Sequence, residues 1–144
     1  MLKTQKISVT AFILNSENKV LIVKRSKTDS FLPGFFELPG GKVEFGESVE
    51  EALTREIKEE TALRIKLIRP YSTFSYLSTD RQKQTIDIQC ICKVLSKNYK
   101  VRLSEEHEDF NWIPLVNIKK FKFSAEMRKA IAKGFNDNAH LLNI

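Results

Sequence analysis

A chain of 144 residues, 42% of them hydrophobic, is long enough for one substantial core and short for two. Its 24 Lys/Arg against 18 Asp/Glu leave a net charge of +6, too modest to name a polyanionic partner by itself. No run approaches the ~20 apolar residues of a membrane span, and the start, MLKTQKISV, lacks the apolar region of an export signal, so a cytoplasmic protein is expected.

Ile7 to Leu14 and Val20 to Lys24 read as strands joined by the polar loop Asn15-Ser16-Glu17-Asn18-Lys19, the pattern of a hairpin. A Pro/Gly-bearing segment, Arg25 to Gly41, follows. Ser48-Val49-Glu50-Glu51 is a capping box with Ser48 at the N-cap, so a helix starts there. At about 100° per residue, Val49, Leu53 and Ile57 form an apolar stripe, while Glu50, Glu51, Thr54, Arg55 and Lys58 fill the opposite arc. Leu63 to Leu77 is mostly extended, and Thr85 to Val94 alternates Ile86, Ile88, Cys90, Cys92 and Val94 against Asp87, Gln89 and Lys93. Cys90 and Cys92 share a face of that run and cannot readily bridge each other, and C-x-C alone is a poor zinc signature. They read as reduced thiols packed as small hydrophobes, which suits a reducing cytosol. Trp112 closes another short strand, and Ser124 caps a terminal helix on which Met127, Ala130, Ile131 and Phe135 share one face. With no internal repeat or low-complexity linker, the order predicts a single domain over residues 1–144, a mixed sheet between helices.

Three carboxylates, Glu56, Glu59 and Glu60, stand at i, i+3 and i+4 near the end of the capped helix. Neighbours at that spacing repel by roughly a few tenths of a kcal/mol per pair, and the C-terminal end of the macrodipole disfavours them further. A divalent cation offsets both penalties. If this were only a solvated charged face, Glu56 and Glu60 should project with Lys58 into water; instead the wheel sets Glu60 along the apolar stripe and Glu56 on its edge. Residues 37–60 hold eight Asp/Glu and three Lys/Arg, and the rest of the chain holds 10 and 21. An acidic pocket in a basic body would steer a polyanion such as a nucleotide diphosphate to a metal-loaded centre; lysines that merely keep the protein soluble are the alternative.

The stretch GKVEFGESVEEALTREIKEETAL, residues 41–63, resembles the Nudix box, the signature of the Nudix (MutT-like) hydrolases. Gly41, Glu47, Arg55, Glu56, Ile57, Glu59, Glu60 and Leu63 fall in register, eight of nine fixed positions, which makes the match far more specific than a lone glycine motif. Ala62 replaces the second glycine, where a left-handed residue usually ends the helix, and Ala adopts that conformation at a cost of roughly 1–2 kcal/mol.

The resemblance implies an α/β/α sandwich with a mixed β-sheet and a hydrolase of phosphoric anhydrides linked to a nucleoside. It implies Mg²⁺ or Mn²⁺ held by Glu56, Glu59 and Glu60 with the Gly41 carbonyl, ions that neutralise phosphate charge and activate water. Glu59 is the first choice for the base, in competition with an acid of the loop before Trp112: Glu106 is the closest counterpart of the MutT-like loop ligand, with Glu105 and Glu108 as alternatives. His107, beside four acids, reads as a surface partner. Glu47 and Arg55 are expected to orient the ligands, Arg55 by a bidentate bond to a carboxylate. Arg25 resembles an arginine that contacts substrate phosphates, while Lys24 points to the other face. Phe35 or Phe36 stands where many relatives carry Trp and can stack on a base, with core packing the expected duty of Phe36. Phe74 and Tyr76 alternate along a strand and can line a base or ribose pocket. A nucleoside triphosphate or oxidised nucleotide is the expected substrate; ADP-ribose or a nucleotide sugar is the rival, and a non-catalytic nucleotide or RNA sensor is a rival of another class. The family resemblance leaves monomer and homodimer open.

Overall fold

The computed structural model describes residues 2–141. Period-two alternation makes β1 (Thr4–Ile13) a two-faced strand: Val9, Ala11 and Ile13 enter one core cluster and Phe12 the other. The chain continues through β2 (Val20–Arg25), β3 (Phe36–Glu37), β4 (Gly40–Lys42), α1 (Val49–Thr61), β5 (Ile65–Leu77), β6 (Lys83–Val94) and β7 (His107–Ile113). A 3-10 helix, Leu115–Lys120, leads to α2 (Ala125–Leu141).

The strands form a mixed four-stranded sheet, ordered β4-β1-β6-β5, and an antiparallel three-stranded sheet, β3-β2-β7. β1 and β6 run parallel over ten residue pairs, and β4 is antiparallel to β1. The expected hairpin of the first two strands does not form. Asn15 closes a tight turn, its Oδ1 accepting from the N–H groups of Glu17 and Lys19 and its own N–H donating to the Lys19 carbonyl at 2.9 Å, but the ladder stops at one bridge, Leu14 to Val20. Beyond the turn the strands diverge into different sheets, because both faces of each are apolar and each needs cover on two sides.

α1 covers one face of the sheets and α2 the other. Ala52, Leu53 and Ile57 of α1 pack with Val9, Ala11, Ile13, Cys90 and Cys92, and Met127, Ile131 and Phe135 of α2 pack with Phe12, Ile22 and Ile91. Both cysteines are buried free thiols, as expected. The Ser48 capping box is present in both halves, and Ser124 Oγ accepts from the Met127 N–H at 3.2 Å. Ala62 holds φ 65°, the left-handed geometry, and its N–H donates to the Lys58 carbonyl at 3.0 Å. No helix among the described residues is long and apolar enough to cross a membrane.

Candidate active site

The sequence turns the last turn of α1 inward, and Glu60 is consequently 3% exposed. Its Oε2 accepts from the Gly40 N–H at 3.1 Å. Burial, with Glu106, Glu37 and Glu56 nearby, pushes the carboxyl up to about 9, against the pull of that single donor. Glu60, Glu106 and His107 each present a ligand atom within 4.8 Å of the others. Gly41 lies directly against the Glu56 carboxylate, so close that any Cβ there would collide with it. Burial raises the pKa of Glu56, with Arg55 opposing. Glu59 faces outward, its side chain 59% exposed, 3.4 Å from Arg55 Nη1.

Arg55 organises this end of α1. Its Nε and Nη2 donate to the two oxygens of Glu47 at 2.7 and 2.8 Å, so the bidentate fork falls on Glu47 rather than on the ligand carboxylate expected from the sequence. Nη1 donates to Glu56 Oε1 at 2.9 Å, and Nη2 also reaches the Lys42 carbonyl at 3.1 Å, so one guanidinium ties the helix to β4. The fork and the Glu44 N–H pull Glu47 down to about 2.

His107 is not the surface partner expected from its acidic neighbours. It opens β7 beside a register shift in the ladder with β2, 7% exposed, with Nε2 3.0 Å from Glu37 Oε2 and no partner for Nδ1 among the described residues. Glu37 in turn accepts from Arg25 Nη1 at 3.0 Å. Arg25 also donates from Nη2 to Asp29 Oδ2 and from Nε to the Phe31 carbonyl, both at 2.8 Å, which fixes its guanidinium and leaves one N–H on each Nη for a further acceptor. Glu105 and Glu106 line the depression that holds Glu60 and Arg25, whereas Glu108 turns away to pair with Lys24 at 3.4 Å.

A cavity of about 360 Å³ adjoins the carboxylates and shares Arg25, Glu37 and Gly40 with them. Phe74 and Tyr76 both line it, as the alternation implied, and Phe31 stacks on Tyr76 at 5.3 Å and 12°. Phe36 borders the cavity but packs edge-on against Phe121 at 5.1 Å and Phe123 at 6.4 Å, in line with its expected core duty. Sequence reasoning missed Glu37, Phe31 and Asp87. Asp87 and Gln89 stood out as polar residues alternating in an apolar strand, and that was the available signal; Phe31 and Glu37 lie in the irregular segment before the box, which has no period to read.

The layers define an α/β sandwich carrying a carboxylate helix on a glycine turn. The fold matches the crystal structure of MutT protein from Methanosarcina mazei Go1 with a TM-score of 0.82 at 29% identity, covering 96% of this chain and 98% of that one. Residues 4–134 match the NUDIX domain family, and the chain belongs to it. Over 114 residues it is 38% identical to an ADP-ribose pyrophosphatase of Methanocaldococcus jannaschii, a match covering 79% of this chain and 65% of that protein's length. Over 126 residues it is 29% identical to the nucleoside triphosphatase NudI of Escherichia coli O139:H28, covering 83% of this chain and 89% of that protein.

Proposed function

We propose that this Nudix domain is a metal-dependent pyrophosphohydrolase that cleaves a nucleoside diphosphate-linked substrate by attack of water at phosphorus, and that the substrate is a nucleoside triphosphate or an oxidised nucleotide. The observation that carries it is the buried Glu60 carboxyl, facing Glu106 and His107 across less than 5 Å, a group that fits a divalent cation far better than it fits a closed protein interior. Glu56, Glu59 and Glu60 with the Gly41 carbonyl would hold Mg²⁺ or Mn²⁺, and Glu106 approaches Glu60 from the loop before β7. When bound, the ion neutralises phosphate charge and lowers the pKa of coordinated water.

The chain's own groups do the rest. Arg55, locked by Glu47, aims Glu56. Glu59, the exposed member of the trio, takes the proton of the attacking water. Arg25, fixed between the cavity and the carboxylates, presents positive charge to the phosphates. Phe74 and Tyr76 flank the nucleoside. The two buried free thiols suit a reducing cytoplasm as the site of action, with the protein a monomer or homodimer.

The Methanocaldococcus relative favours a second reading, ADP-ribose as substrate. A panel of nucleoside triphosphates, oxidised triphosphates, nucleotide sugars and ADP-ribose, assayed for phosphate and pyrophosphate release with Mg²⁺, decides between them. Glu60→Gln should abolish turnover, and Glu59→Gln should lower kcat about 100-fold or more. Turnover unchanged in Glu59→Gln removes that residue as base, and RNA or nucleotide binding with no turnover in the wild type replaces the enzyme by a sensor.

A further inference from the structure

The floor of the aromatic-lined cavity is a row of side chains across the four-stranded sheet. Asp87 of β6 stands opposite Phe74 of β5 on one side and Ser8 of β1 on the other, and Ser8 is paired in turn with Lys42 of β4. Asp87 is 3% exposed yet lines the cavity. Three donors meet it: Ser8 Oγ at 2.6 Å on Oδ1, and Thr10 Oγ1 at 3.1 Å and Gln89 Nε2 at 2.6 Å on Oδ2. The hydroxyl hydrogens of Ser8 and Thr10 are therefore committed, and the lone pairs that these side chains still offer all accept. A carboxylate has about four acceptor sites, so one remains, on the oxygen with the single bond.

A ligand edge that fits such a floor presents N–H groups. Of the common bases, uracil and thymine set a carbonyl on each side of their one N–H and would face oxygen with oxygen. Adenine and cytosine offer one amino group beside a bare ring acceptor. Guanine offers two adjacent donors, N1–H and the 2-amino group, and its O6 then lies toward the rim, where Lys6 and Lys42 supply cations. Phe74, Tyr76 and Phe31 provide the faces against which a purine stacks.

We infer that Asp87, with Ser8 and Thr10, is the specificity-determining group of the cavity and selects a guanine-type base by accepting from its N1–H and 2-amino edge. The inference rests on the reading of the protein as a nucleotide hydrolase and names the base of its substrate. A hydrogen bond to a buried carboxylate is among the stronger ones, and leaving it unmade costs about tenfold or more in affinity.

Calorimetric titration of the wild type with GMP, IMP, AMP and UMP in Mg²⁺ buffer tests it, since these ligands carry no anhydride bond to hydrolyse. GMP should bind about tenfold or more tighter than IMP, which differs only by the missing 2-amino group, and UMP should be weaker still. In Asp87→Asn the ratio of GMP to IMP should shrink to within about threefold. The wild-type comparison needs no variant, so a variant that fails to fold leaves the test intact. GMP and IMP equal in the wild type, AMP or UMP preferred, no measurable GMP binding, or a ratio unchanged in a folded Asp87→Asn overturns the inference. If the ratio is absent while anhydride substrates are still turned over, only the inference falls; if the ratio stands and nothing is hydrolysed, only the enzymatic reading falls.

Discussion

Replacing Glu60 by Gln removes a carboxyl that the metal-free fold must keep protonated, and the metal-free protein should become more stable as a result. The ordinary value for the group is 4.5 and the fold pushes it up to about 9, chiefly by burial. Below pH 4.5 both folded and unfolded chains hold the proton and the group costs nothing. Between 4.5 and about 9 the unfolded chain has released a proton that the fold retains, so stability declines at about 1.36 kcal/mol per pH unit and levels off above. At pH 7 the ceiling is about 3 kcal/mol, and because Glu106, Glu37 and Glu56 share the titration, about 1–3 kcal/mol is expected. Gln keeps an oxygen for the Gly40 N–H. Urea unfolding in EDTA from pH 5 to 9 measures this: Glu60→Gln should be more stable at pH 7–8 and its pH slope flatter. Adding Mg²⁺ should reverse the order, because only the wild type gains by mass action. A variant less stable than wild type in EDTA at pH 8, or one with the wild-type slope, refutes the argument.

Three further substitutions probe the frame around the trio. Ala62→Gly relieves a left-handed alanine and should raise stability by about 0.5–1 kcal/mol after the greater unfolded-state freedom of glycine is counted, read as a rise in thermal midpoint with turnover unchanged. Gly41→Ala drives a Cβ into the Glu56 carboxylate, so the Mg²⁺ concentration for half-maximal activity should rise about tenfold or more while circular dichroism stays native. Arg55→Lys keeps the charge and loses the fork to Glu47, and kcat should fall about 10–100-fold with a smaller change in KM.

The parts of this site that were legible beforehand are those whose geometry is local. Ser48 and Glu51 lie within one helical turn, so their reciprocal bonds follow from spacing. The inward aim of Glu60 follows from its place on the stripe of Leu53 and Ile57. Arg55 meets Glu47 across eight residues, but both belong to the box whose register was visible. His107 was misplaced because its neighbours in sequence are acids, while a register shift at the start of β7 sends the ring to Glu37, 70 residues away. The first two strands carry a turn between them and still part company, since cover on both faces outweighs the local preference to pair.

Helix, caps, carboxylate trio and family membership were determined by the amino-acid order alone, because each depends on contacts within a turn or on a pattern of fixed spacing. The seating of Arg25 between Asp29 and Glu37, the approach of Glu106 to Glu60 and the row Phe74, Asp87, Ser8 were decided only by the tertiary structure. Those contacts join residues far apart along the chain, and their register is set by which strands pair and which faces must be buried.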